Sequence, residues 1–192
     1  MKNFQKPLHT HFIGVPITAE LEELVAECRD YMNAAYGCKS GYGTPPHITL
    51  IAPFKLPRDS GWSEQCVFNL AADCLKECAA QKIIPFNAKI QGFGAFAERT
   101  LFAHVCDGEN WQKMHSVFAG AFGKIPGAIK KPERKFYPHL SVANRDIPYG
   151  AMDAALKHFA ELNLCSEFCV QEICVYVRNS RGGWTEGARI LP

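Results

Sequence analysis

Pro46-His47-Ile48-Thr49-Leu50 and Pro138-His139-Leu140-Ser141-Val142 are the two stretches that decide how this chain is read. Each sets a histidine behind a proline, a hydroxyl two residues later, and apolar residues between and after. Seven histidines in a chain of ordinary composition predict about one His-x-Ser/Thr by accident. Here there are two, in matched settings. A single histidine on a strand is usually structural, so the weight lies in the pairing.

Side chains alternate along a strand. His47 and Thr49 therefore share one face while Ile48 and Leu50 enter the core; His139 and Ser141 do the same, with Leu140 and Val142 behind them. Two such strands facing each other would surround one cleft with two imidazoles and two hydroxyls. Imidazole titrates near pH 6.5, so one ring can be neutral and the other protonated near neutrality. In-line attack on a phosphodiester requires one general base and one general acid. The hydroxyls can donate to the phosphate oxygens. This chemistry calls for neither metal nor cofactor, and none is expected.

Working outward from the motifs, the order of elements repeats. A strand over Leu8–Pro16 precedes a helix that Thr18 can cap and Gly37 can stop. A glycine-rich loop, Ser40 to Pro46, leads into the first motif strand, and a second helix carries Cys66, Val67, Leu70, Cys74 and Cys78 on one face. Strands are predicted over Phe86–Phe96 and Leu101–Cys106, then a helix that Asp107 can cap. The second motif strand, a fourth helix from Met152, and strands over Phe168–Arg178 and Trp184–Leu191 complete the chain. Strand, helix, Pro-His strand, helix, strand thus occurs twice, roughly over 8–96 and 100–191, within one bilobed domain spanning 1–192.

Composition agrees with an ordinary globular protein. Apolar residues make up 47% and charged residues 21%, and a net charge of +2 suits a small anionic ligand better than a long duplex. No stretch is long and apolar enough for a membrane span, and the N-terminus has no signal-peptide pattern, so a cytoplasmic, monomeric protein is expected. Nine cysteines, an odd number without a Cys-x-x-Cys pair, read as reduced thiols, several at apolar helix positions.

With these residues in view, the chain resembles the 2H phosphoesterase superfamily, and within it the 2′-5′ RNA ligase-like, or cyclic phosphodiesterase, proteins. The resemblance runs nearly the whole length, through Pro45 to Phe54, Ile90 to Phe96 and Phe136 to Val142. It implies a bilobed α+β fold with an antiparallel sheet and flanking helices in each lobe and the active site between them. It also implies hydrolysis of 2′,3′-cyclic phosphates to 2′-phosphates, or ATP-independent 2′-5′ RNA joining, on an RNA end or a small nucleotide. By the same resemblance His47 is the acid that protonates the leaving 3′ oxygen, His139 the base that activates water, and Thr49 and Ser141 the phosphate donors. The motifs themselves do not separate acid from base, nor hydrolysis from ligation. Many relatives carry arginine three residues after the second hydroxyl; Asn144 stands there and Arg145 follows.

Further candidate substrate contacts are Arg134 in the basic loop Lys130–Lys135, Arg145, and the aromatic residues Tyr42, Phe136, Tyr137 and Trp184, flat partners for a nucleobase. The rival from another class is a nucleotide-binding module without turnover, whose usual mark, a damaged motif, is missing.

Overall fold

A computed structural model describes residues 10–57, 61–106, 108–129 and 135–192. In chain order the elements are β1 (His11–Pro16), α1 (Ala19–Tyr36), β2 (His47–Phe54), α2 (Glu64–Ala80), β3 (Phe86–Phe96), β4 (Thr100–Val105), α3 (Glu109–Phe122), β5 (His139–Asn144), α4 (Met152–Ala160), β6 (Cys165–Val170), β7 (Ile173–Arg178) and β8 (Trp184–Ile190). The α+β class is as expected.

Local signals explain two of the helix ends. Gly37 closes α1 in the left-handed conformation, donating to Asn33 O while Cys38 donates to Met32 O. Ser63 caps α2, its side chain accepting from the Cys66 amide. Thr18 occupies the cap position of α1 but makes no side-chain cap bond. Gly108 stands at the cap position of α3; Asp107 lies outside the described residues.

The strands form one antiparallel sheet in the order β6-β3-β4-β5-β2-β1-β7-β8. Two four-stranded halves meet at β2 and β5 through one registered pair, Ile48 opposite Leu140. Sheet halves and sequence halves do not coincide. β3, from the first half of the sequence, pairs with β4, whereas β7, from the second, returns to pair with β1. The segment read as one strand over Phe168–Arg178 is two strands, β6 and β7, parted by Gln171 and Glu172. Two residues bridge about 11 Å at most. Six strand spacings of about 4.8 Å would hold β6 and β7 about 29 Å apart in a flat sheet. The sheet must therefore curl until its distant strands approach at one end.

One face of the curled sheet packs on α2 and α3, with Ile48, Leu50, Leu140, Val105 and Val175 against Val67, Leu75, Trp111 and Phe118. A second core joins α1 to α4 through Cys28, Met32, Met152 and Phe159 against Leu101, Val142 and Ala143. All nine cysteines are free thiols. Burial pushes Cys28 and Cys74 up to about 12 and Cys78 to about 11, which suits small hydrophobes. Among the described residues no helix is long and apolar enough to cross a membrane.

Candidate active site

The two motifs start neighbouring strands at the seam of the sheet, and their backbones match further than the sequence shows. Opposite β1, Gly14 pairs with Thr49 and Ile13 with Ile51, leaving Leu50 as the extra residue of a bulge. Opposite β4, Phe102 pairs with Ser141 and Leu101 with Ala143, leaving Val142 in the same place. A bulge breaks the two-residue alternation. Each motif is accordingly followed by two consecutive buried residues, Leu50-Ile51 and Val142-Ala143.

His47 and His139 are anchored alike. The Nδ1 of His47 donates to Pro45 O, and that of His139 to Tyr137 O, each at 2.8 Å. A carbonyl can only accept, so Nδ1 carries the hydrogen and Nε2 of the neutral ring is left as the proton acceptor. In His47 this Nε2 accepts from the Thr49 hydroxyl at 3.0 Å. Burial holds both rings below the ordinary histidine range. His47 is pushed down to about 4, desolvation acting first, with Arg29 and His139 adding charge repulsion and the Pro45 carbonyl opposing.

Both imidazoles and both hydroxyls line one cleft of about 590 Å³. Gly14 packs tightly beneath His47: a Cβ there would meet the ring at 3.0 Å and Tyr176 at 3.2 Å. Phe12 lies 4.5 Å from the His47 ring centre and packs edge-on to Trp184 at 4.8 Å. The glycine-rich loop closes one side. Its Gly43 carbonyl accepts from Trp184 N, while Asp146 accepts from Lys39 N, Ser40 N and the Ser40 hydroxyl.

Of the further sequence candidates, Trp184 and Arg145 line the cleft. The other described candidates are not among its lining residues. The Tyr42 hydroxyl donates to Asp30 on the outer surface. Phe136 stacks on His115 at 4.2 Å. Tyr137 contributes its carbonyl to His139, while its ring packs against Phe96 and His104. Arg134 and the basic loop 130–134 lie outside the described residues.

The sequence reading missed Arg29. On α1, its Nη1 donates to Thr44 O at 3.0 Å and its Nη2 to Ser141 O at 3.5 Å, tying the approach to the first motif to the second. No local signal marks it, because its contacts depend on α1 crossing β5. Among the described residues no group of three or more His, Cys, Asp or Glu side chains is arranged to hold a metal ion.

A family model for the 2′-5′ RNA ligase superfamily matches residues 16–182, which includes both motifs and the strands β2 to β7. The chain belongs to this superfamily. Its membership among the 2H phosphoesterases supports a phosphodiesterase- or ligase-like activity at the coarsest level. LigT of E. coli, crystallised with 3′-AMP, is 15% identical at a TM-score of 0.64, over 96% of this chain and 98% of that one. TT0787 of Thermus thermophilus is 18% identical at 0.61, over 95% and 97%. At these identities the likeness to each solved structure is one of fold. A search of curated protein sequences found no significant match.

Proposed function

We propose that this chain is a metal-independent phosphodiesterase that opens 2′,3′-cyclic phosphates, on an RNA end or a nucleotide, to 2′-phosphates. The observation that carries this reading is the pair of imidazoles on one cleft, each held by a carbonyl at Nδ1 so that Nε2 is the working atom. One Nε2 takes a proton from water as the water oxygen bonds to phosphorus. The bond from phosphorus to the 3′ oxygen breaks, and the other imidazolium delivers its proton to that oxygen. The family resemblance makes His47 the acid and His139 the base.

Burial holds both rings towards the neutral form. A bound phosphate anion reverses part of that bias by favouring an imidazolium beside it. Thr49, which donates to His47, then turns its hydroxyl to a non-bridging oxygen, and Ser141 does the same from the other side. LigT has been crystallised with 3′-AMP, ATP, NADP+ and phosphate, which supports a nucleotide as the ligand class.

The test is incubation with nucleoside 2′,3′-cyclic phosphates and a cyclic-phosphate RNA oligonucleotide in EDTA at pH 5 to 9. The expected product is the 2′-phosphate alone. A 3′-phosphate product would reverse the leaving oxygen, and dependence on added metal would overturn the mechanism. Adding a 5′-hydroxyl RNA to the same mixture reveals any joining by the same pair.

A further inference from the structure

The described lining of the cleft holds three arginines, Arg29, Arg145 and Arg178, and no carboxylate. A cyclic phosphodiester brings one negative charge, so the cleft carries more positive charge than that group needs. Arg29 is committed to Thr44 and Ser141. The Arg178 side chain has no polar partner among the described residues. It lies at the end of β7 with its guanidinium carbon 5.4 Å from the centre of the Trp184 ring. Its Nε is buried without a hydrogen-bond partner, and no carboxylate pairs with it among the described residues. An indole face fixes the plane of a guanidinium and leaves its N–H fork free for a phosphate.

The location is defined by the rings. Phe12 touches His47 on one side and Trp184 on the other, so Arg178 stands beyond a short aromatic wall at the His47 end of the cleft. Asn179 folds the β7–β8 turn by accepting from Arg181 N and Gly183 N, and the Trp184 amide bonds Gly43 O. The wall is thereby fixed to the glycine-rich loop.

We propose that Arg178, seated on Trp184, binds a second phosphate of the substrate, the one on the 5′ side of the nucleoside whose cyclic phosphate lies between the histidines. This rests on the phosphodiesterase reading above. In a nucleotide the 5′ oxygen is the next position to carry phosphate, across one ribose from the 2′,3′ edge. The group is a terminal 5′-phosphate or the internucleotide phosphate of an RNA chain.

Two measurements separate this inference from the reading beneath it. The first is binding, with no turnover required, of a nucleoside 3′,5′-bisphosphate against the 3′-monophosphate. Wild type should prefer the bisphosphate about ten- to hundredfold, as one charge-assisted phosphate contact provides. Arg178→Met should abolish that ratio and Arg178→Lys keep part of it. An equal affinity in wild type, or a ratio unchanged in Arg178→Met, would overturn the second phosphate site whatever the protein catalyses. The second measurement is kcat/KM on a nucleoside 2′,3′-cyclic phosphate, its 5′-phosphorylated form, and a 5′-hydroxyl dinucleotide ending in the cyclic phosphate. Preference for the 5′-phosphorylated mononucleotide identifies a terminal phosphate, and preference for the dinucleotide identifies the RNA backbone. Identical rates on all three would count against the inference while leaving the phosphodiesterase reading intact.

Discussion

The motif around His47 and the motif around His139 share sequence, anchoring carbonyl and bulge, yet they sit in different surroundings. His47 is walled by Phe12 and Tyr176, both fully buried, and its Nε2 is already engaged by Thr49. His139 meets Phe96 and Phe102 edge-on, with Phe96 37% exposed, and no hydrogen bond joins it to Ser141 among the described residues. The anchoring and the bulge match, whereas the packing around the two rings does not. Strand exchange makes the two environments unequal, as the proposed acid and base would require: β7 brings Tyr176 beside His47, while β3 brings Phe96 beside His139.

The largest effect expected is loss of either histidine. His47→Ala and His139→Ala should each lower kcat by about 10²- to 10⁴-fold. An activated leaving group, such as a p-nitrophenyl phosphodiester, then breaks the symmetry. The variant lacking the acid should recover most of its rate on that substrate, and the one lacking the base should not. Recovery in His47→Ala supports the roles implied by the family resemblance; recovery in His139→Ala exchanges them.

The hydroxyls come next. Thr49→Val should cost about 10²-fold and Ser141→Ala less, because Thr49 donates to His47 as well as serving, in the proposed mechanism, a phosphate oxygen. Equal losses in steady-state kinetics would show that the Thr49 contact to His47 has no catalytic weight. Smaller still, Gly14→Ala should lower kcat several-fold while leaving His139 unaffected, since the new methyl pushes the His47 ring by a few tenths of an ångström. A crystal structure of that variant checks the displacement.

The smallest effect is electrostatic. His47 should titrate near pH 4 when followed by NMR of its ring protons in the ligand-free protein, staying neutral above that pH and charging only below it. Desolvation is the main cause, and the charges facing the ring are Arg29 and His139. Arg29→Met removes one of them, so the midpoint should move upward, toward the ordinary value of about 6.5, with a smaller response from His139. A midpoint that stays put would assign Arg29 a purely structural role in joining Thr44 to Ser141.

Much of this was legible in the chain. Four helices, the motif strands and the inward face of Ile48, Leu50 and Leu140 follow from periodicity and turn residues, which act over a few positions; Val142, expected beside Leu140, stands at the bulge and packs in the second core instead. The failures are non-local. Tyr42 and Phe136 carry the right chemistry but point elsewhere, toward Asp30 and His115. Arg29 and Arg178 line the cleft without any spacing that announces them. The two-residue break that separates β6 from β7 sends the chain to a different part of the sheet, and alternation alone reads through it.

By itself the sequence singled out the candidate reacting atoms: two imidazoles and two hydroxyls, placed on strand faces by the two-residue period and marked by their repetition. Only the tertiary structure decided which strands share an edge, which aromatic rings enclose each imidazole, and which arginines reach the cleft. Those choices depend on contacts between residues far apart in the chain, where packing and loop closure select the partner and local propensity is silent.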